Sequence, residues 1–154
     1  MSVKSAGVLL YRIRPELEVL LIHMGGPLWA KKDAGAWSIP KGVIGTGEDP
    51  LDAAKREFHE ETGFAAEGEF EALGTFRQNS SKQLTVWALQ GDCDPQTLRS
   101  NSFTMIWPPK SGKLMAFPEA DRAAWFTRER ALDSIVKGQR AVLEYFFARP
   151  DRER

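Results

Sequence analysis

A single cysteine, Cys93, occurs in 154 residues, which excludes an internal disulfide framework and a cysteine-rich zinc cage. That scarcity suits a reducing compartment, and a cytoplasmic protein is expected. Charge of one sign is lacking as well. Lys plus Arg and Asp plus Glu both number 21, so no global basic excess exists to coat DNA or RNA. Long apolar runs are missing: the N-terminal stretch Ala6 to Tyr11 stops at Arg12, far short of the ~20 residues of a membrane span and without a signal-peptide pattern. There is no internal repeat, low-complexity tract or linker. What is present is 42% hydrophobic residues, with 5 Trp and 9 Phe, enough for a real core. One domain over residues 1–154 is expected.

Short β-branched and aliphatic runs at Ala6 to Tyr11 and Leu17 to His23, around Arg14-Pro15-Glu16, predict a hairpin. Gly25 to Gly35 has neither helical nor strand period and carries Trp29, Lys31 and Lys32, as a binding loop would. Asp49 to Thr62 has full helix punctuation: Asp49 to cap, Pro50 for the first position and Gly63 for the left-handed residue after the end. Strands are predicted at Phe70 to Phe76, Gln83 to Ala88, Phe103 to Trp107 and Ala123 to Phe126. Arg128 to Arg149 reads as a helix pair broken at Gly138, and Pro150 to Arg154 as a frayed end. This alternation predicts an α/β or α+β sandwich with helices on the faces of a mixed sheet.

Chemistry concentrates in Gly42 to Phe64. Glu57, Glu60 and Glu61 stand at i, i+3 and i+4 and project from one side of the predicted helix, beside an apolar stripe of Leu51, Ala54 and Phe58. Three clustered carboxylates repel one another. Taken alone, the pattern also describes an acidic, solvated helix face. Hard divalent cations take oxygen ligands, and Mg²⁺ or Mn²⁺ is commonly shared between carboxylates and phosphates. The loop Lys41 to Glu48, with Gly42, Gly45 and Gly47, is flexible enough for its backbone to approach a phosphate or a metal. Simpler motifs fail. Gly42-x4-Gly47 is followed by Glu48-Asp49 and not by Lys and Ser/Thr, a dinucleotide fingerprint lacks its third glycine, and four residues after His59 stands Gly63, not the second histidine of a zinc protease.

The same segment resembles the Nudix box, G-x5-E-x7-R-E-U-x-E-E-x-G-U, at every position: Gly42, Glu48, Arg56, Glu57, Glu60, Glu61 and Gly63, with Phe58 and Phe64 at the apolar sites U. The resemblance implies an α/β/α Nudix fold and Mg²⁺- or Mn²⁺-dependent hydrolysis of a nucleoside diphosphate linked to another group. It implies that Glu57, Glu60 and Glu61 are metal ligands, joined by the backbone carbonyl of Lys41 or Gly42. Arg56 would orient Glu57, the alternative being a weak surface pair with Glu60. Glu48 would support the site from outside. The general base is a box glutamate or a glutamate from another loop, for which Glu119 is the candidate.

Substrate cues are sparser. Trp37-Ser38-Ile39-Pro40-Lys41-Gly42 resembles the W-x-x-P-K-G entry of dinucleoside polyphosphate hydrolases, although Val43 stands where many of those have histidine. No proline lies between Gly63 and Pro95, whereas Nudix ADP-ribose pyrophosphatases typically carry one about 16 residues beyond the box, so the resemblance implies that ADP-ribose is the less favoured substrate. The segments Trp107 to Lys113 and Phe117 to Phe126 resemble bacterial predicted nucleoside triphosphate pyrophosphohydrolases. The expected substrate is a nucleoside triphosphate or a dinucleoside polyphosphate, the alternative a sensing module that binds nucleotide without turnover. Trp37, Lys41, Gly42, Glu48 and Arg77 are the candidate substrate contacts. Trp29 and Trp107 are further stacking candidates, and Lys31, Lys32, Lys110 and Lys113 further phosphate contacts. Cys93, between Asp92 and Asp94, has no catalytic partner in view.

Overall fold

A computed structural model of the chain describes residues 2–149; the predicted frayed end lies outside them. Nine strands and three α-helices follow in the order β1 (Val3–Ile13), β2 (Leu17–Met24), β3 (Trp37–Ser38), β4 (Lys41–Val43), α1 (Pro50–Thr62), β5 (Phe70–Asn79), β6 (Lys82–Gln90), β7 (Ser102–Ile106), β8 (Leu114–Pro118), β9 (Ala120–Thr127), α2 (Arg128–Ser134) and α3 (Arg140–Ala148). Seven strands form one mixed sheet, with β6 parallel to β1 and the remaining neighbours antiparallel. Its centre is β1.

The hairpin is paired only near its turn, from Tyr11↔Val19 to Ile13↔Leu17. Farther along, β1 and β2 separate, and two short strands fill the gap: β3 pairs with β2, while β4 pairs with β1 through Ser5↔Val43, Ala6↔Gly42 and Gly7↔Lys41. Side chains alternate along a strand. Lys41 and Val43 therefore face one side of the sheet and Gly42 the other, the side on which α1 packs.

That packing comes from Ala53, Ala54 and Phe58, which are buried against Ala6, Val8, Leu10 and Leu20. On the opposite face, Ala131, Val142, Leu143 and Phe146 of the last two helices cover Leu9, Val19, Leu21, Leu84 and Val86. The result is the expected α/β/α sandwich. Helix α1 is delimited as its punctuation predicts. The Asp49 carboxylate accepts from the Leu51 and Asp52 amides, and Gly63 adopts φ 81° while its N–H donates to the His59 carbonyl. The break at Gly138 is a 3-10 turn, Lys137–Gln139.

Strands β3, β4 and β8 were not foreseen; β8 pairs with β7 in a separate two-stranded sheet, Phe103 opposite Phe117. Trp37, expected at the substrate, is a core residue only 5% exposed. Its ring stands edge-on to Phe126 at 4.7 Å and its indole N–H donates to Asp33, so neither face is open to a base.

Phe58 is the largest fully buried side chain on α1. Phe58→Ala should lower unfolding free energy by about 3–5 kcal/mol, checked by urea denaturation. Leu51→Ala, at a partly exposed site on the same helix, should cost clearly less.

Candidate active site

Arg56 organises the acidic face of α1. Its Nε and Nη2 bind the two oxygens of Glu48 at 2.8 and 3.0 Å, a bidentate pairing across the turn that precedes the helix. Nη1 donates to Glu57 at 2.7 Å and reaches both oxygens of Glu60 at 3.3 Å, and Nη2 also donates to the Val43 carbonyl at 3.1 Å. Both arrangements weighed for Arg56 thus occur together, with the Glu57 contact the tighter. One cation holds three carboxylates in fixed positions. The Glu48 carboxyl is pulled down to about 2, first by Arg56 and then by the Gly45 N–H, and the same contacts raise Arg56 above its ordinary value.

Gly42 makes the approach of loop to helix possible. A Cβ built there would lie 2.0 Å from the Glu57 carboxyl carbon, so any larger residue would push that carboxylate out of its place. One residue earlier, the Lys41 amide donates to Glu61 at 3.1 Å. Burial pushes the Glu61 carboxyl up to about 8, opposed by the Lys41 cation and amide and reinforced by repulsion from Glu57 and Glu119. Glu119, an exposed residue from the segment between β8 and β9, thus stands in the same electrostatic neighbourhood. Its backbone is anchored there: Glu119 N–H donates to the Asn101 carbonyl, Asn101 N–H to the Glu60 carbonyl at the end of α1, and Gly25 N–H to the Glu119 carbonyl.

Other expected contacts lie apart. Arg77 is exposed on β5 opposite Gln83 and makes no ion pair with the acidic cluster. Trp29 is partly buried against the core beneath Lys32, 5.2 Å from its ring centroid, while Lys31 is solvated. Trp107, Lys110 and Lys113 belong to the β7–β8 sheet and the turn that joins its strands. Cys93 is half-buried and its thiol is pushed up to about 11, by burial and then by Asp92, so it stays a protonated, unreactive thiol. Residues that the sequence did not single out include Gln139, 1% exposed, which hydrogen-bonds Ser38, Ile39 and Gln78, and His23, fully buried between Asp121 and the Lys32 carbonyl. Neither belongs to a local motif; their partners are 61 to 101 residues away or on another loop.

Among the described residues no three acidic, His or Cys side chains form a closed metal cage, and Arg56 sits between Glu57 and Glu60. The donor set nevertheless fits a hard divalent ion. Glu57, Glu60 and Glu61 offer only oxygen, and Glu61 is a partly buried carboxyl whose charged form is penalised until a cation compensates it.

Without divalent ions, folded Glu61 keeps a proton that the unfolded chain releases above its ordinary 4.5. Its contribution is fully present below pH 4.5 and is lost as pH rises through about 8. In EDTA, Glu61→Gln should flatten that decline and exceed wild type at alkaline pH by on the order of a few kcal/mol. Thermal melts across the pH range check this.

Residues 1–146 match the family described as NUDIX domain. An RNA pyrophosphohydrolase of Brucella anthropi is 30% identical over 151 residues, 85% of this chain and 85% of that protein. An 8-oxo-(d)GTP phosphatase of Mycolicibacterium smegmatis is 30% identical over 97% of this chain and 42% of its own length. Among solved structures, a C. elegans Ap4A hydrolase binary complex superposes with TM-score 0.66 at 23% identity, covering 95% of this chain and 96% of that one. The NUDIX domain of Shewanella oneidensis NrtR complexed with ADP ribose also gives 0.66, at 14% identity, covering 96% and 88%. At those identities the structures establish the fold. With the family match spanning nearly the whole chain and the box residues gathered around Arg56, the chain belongs to the Nudix family, as a Nudix hydrolase.

Proposed function

We propose that this chain hydrolyses a phosphoanhydride bond in a nucleoside 5′-polyphosphate, as found in nucleoside triphosphates, dinucleoside polyphosphates and the triphosphorylated 5′ end of RNA, with Mg²⁺ or Mn²⁺. The observation that carries this reading is the Arg56 network: Glu48, Glu57 and Glu60 held on one guanidinium, against a loop whose Gly42 leaves no gap beside Glu57. The relatives named RNA pyrophosphohydrolase and 8-oxo-(d)GTP phosphatase support the nucleotide class.

Glu57, Glu60 and Glu61, with the backbone carbonyl of Lys41 or Gly42, would hold the divalent ion. Once bound, the ion neutralises phosphate charge and acidifies water. Arg56 and Glu48 keep the ligand carboxylates from rearranging, and the Lys41 amide fixes one oxygen of Glu61. Glu119, exposed and outside the ligand set, accepts the proton of the attacking water as its oxygen bonds to phosphorus and the bridging P–O bond breaks. The negative leaving phosphate departs toward solvent. Lys41 remains a candidate contact for the outer phosphates, through its cation. Arg77, exposed and apart from the cluster, is assigned no contact in this scheme.

Purified protein with Mg²⁺ should release a nucleoside monophosphate from at least one of a panel of triphosphates, oxidised nucleotides, dinucleoside polyphosphates, ADP-ribose and nucleotide sugars, or pyrophosphate from triphosphorylated RNA to leave a 5′-monophosphate end. Glu60→Gln should lower kcat at least about 100-fold while leaving the thermal melt nearly unchanged. Glu119→Gln should lower kcat by about 100-fold with little change in KM. Binding without cleavage of any member, under Mg²⁺ or Mn²⁺, would make the chain a nucleotide sensor.

A further inference from the structure

Strand β4 has a second face. Lys41 and Val43 point away from Glu57 and line a cavity of about 320 Å³ that continues to Ser38, Gln78 and Gln139. This volume is at the lower end of small-molecule sites. The cavity and the acidic helix therefore share one strand, on opposite sides of the sheet.

Gln139 dictates what this cavity offers. Its Oε1 accepts from the Ile39 N–H at 2.8 Å, and an N–H has no other role to play there. Its Nε2 must then face the other way, where it donates to Ser38 Oγ at 2.9 Å and to Gln78 Oε1 at 3.1 Å. Reversing either amide would set N–H against N–H in a buried position. Gln78 thus turns Oε1 toward Gln139, which fills one of its two lone pairs, and its two Nε2 hydrogens are left for whatever enters the cavity. Asn79, at the rim, has filled both lone pairs of Oδ1 with the Ser81 amide and hydroxyl. Lys41 and Lys82 bring only donors, and among the described residues no carboxylate lines the wall. Met24, Val43 and Val136 add apolar surface suited to a flat ring.

The geometry points to a nucleobase subsite that selects a carbonyl edge, favouring guanine, hypoxanthine or uracil over adenine or cytosine, with Gln78 as the specificity-determining residue and Gln139 as the positioning residue behind it. This inference rests on the reading of the substrate as a nucleotide whose polyphosphate runs from the cavity past β4 to the acidic helix. A base that presents an amino group to Gln78 would meet two donors head-on and leave both unpaired. Outer phosphate oxygens also seek donors, so the test must separate the two sources.

ITP and ATP carry the same triphosphate and differ at the purine 6-position, oxo against amino. Their Kd values, measured by calorimetry on the full chain in EDTA, and their kcat/KM values in Mg²⁺ should both favour ITP by at least about tenfold. Gln78→Leu should bring the two nucleotides to within about twofold. Gln78→Glu, which replaces the amino donor by an acceptor while keeping the bond from Gln139, should reverse the order toward ATP. Gln139→Leu should narrow the ratio through KM more than through kcat. Equal affinities in wild type, or a preference that survives Gln78→Leu, would overturn the inference. So would tripolyphosphate binding as tightly as ITP and weakening with Gln78→Leu, which would make the cavity a phosphate site. Base-selective binding without any cleavage would overturn the proposed hydrolysis and still support the subsite.

Discussion

One guanidinium holds this site together. Placing Glu57, Glu60 and Glu61 on a single turn of helix is electrostatically unfavourable, and neither helix propensity nor packing offsets it. Arg56 does so by meeting Glu48 bidentately, Glu57 closely and Glu60 more loosely. The pairing with Glu48 also ties the entering loop to the helix, since Glu48 in turn accepts from the Gly45 amide. Its carboxylates are about one quarter or less exposed for Glu48 and Glu57 and more exposed for Glu60. The network is accordingly an arrangement device more than a large source of stability, as partly solvated ion pairs usually are.

The sheet supplies the second constraint. Because β1 and β2 pair only beside their turn, the far halves of both strands would expose backbone donors and acceptors. Trp37–Ser38 and Lys41–Val43 satisfy those groups, and the chain between them is pinned in the split. Gly7 allows it: a Cβ there would lie 2.8 Å from the Pro40 carbonyl oxygen. The loop that meets the acidic helix is therefore not a free surface loop. It is sheet, with the precision that hydrogen-bonded backbone gives to Lys41 and Gly42.

Helix α1, its caps and its acidic face were legible in the sequence because every signal is local: Asp49, Pro50 and Gly63 mark the ends, and a 3.6-residue period places the glutamates. The hairpin and the helix pair were legible for the same reason. Strands β3, β4 and β8 were not. Two or three residues carry no period, and Leu114–Pro118 contains a proline and exposed side chains that do not alternate. Trp37 was placed at the substrate by its likeness to the W-x-x-P-K-G entry, and such a motif looks the same whether its ring meets a ligand or Phe126. Glu119 was singled out by resemblance, and its proximity to Glu61 depends on backbone bonds through Asn101 that no local pattern encodes.

The two faces of β4 explain why so few residues can serve two purposes. Pleating sends Gly42 toward the carboxylates and its neighbours toward the cavity, so a three-residue strand presents bare backbone to one and a cation to the other. Lys41 takes part in both: its amide fixes Glu61 while its side chain lines the opposite wall. A shift of one residue in the Ser5↔Val43 register would exchange the faces, driving a side chain into Glu57 and removing the Lys41 cation from the cavity. Gln139 bonds the Ile39 amide two residues before that strand. The contact that orients Gln78 therefore also helps to hold the register on which the acidic site depends.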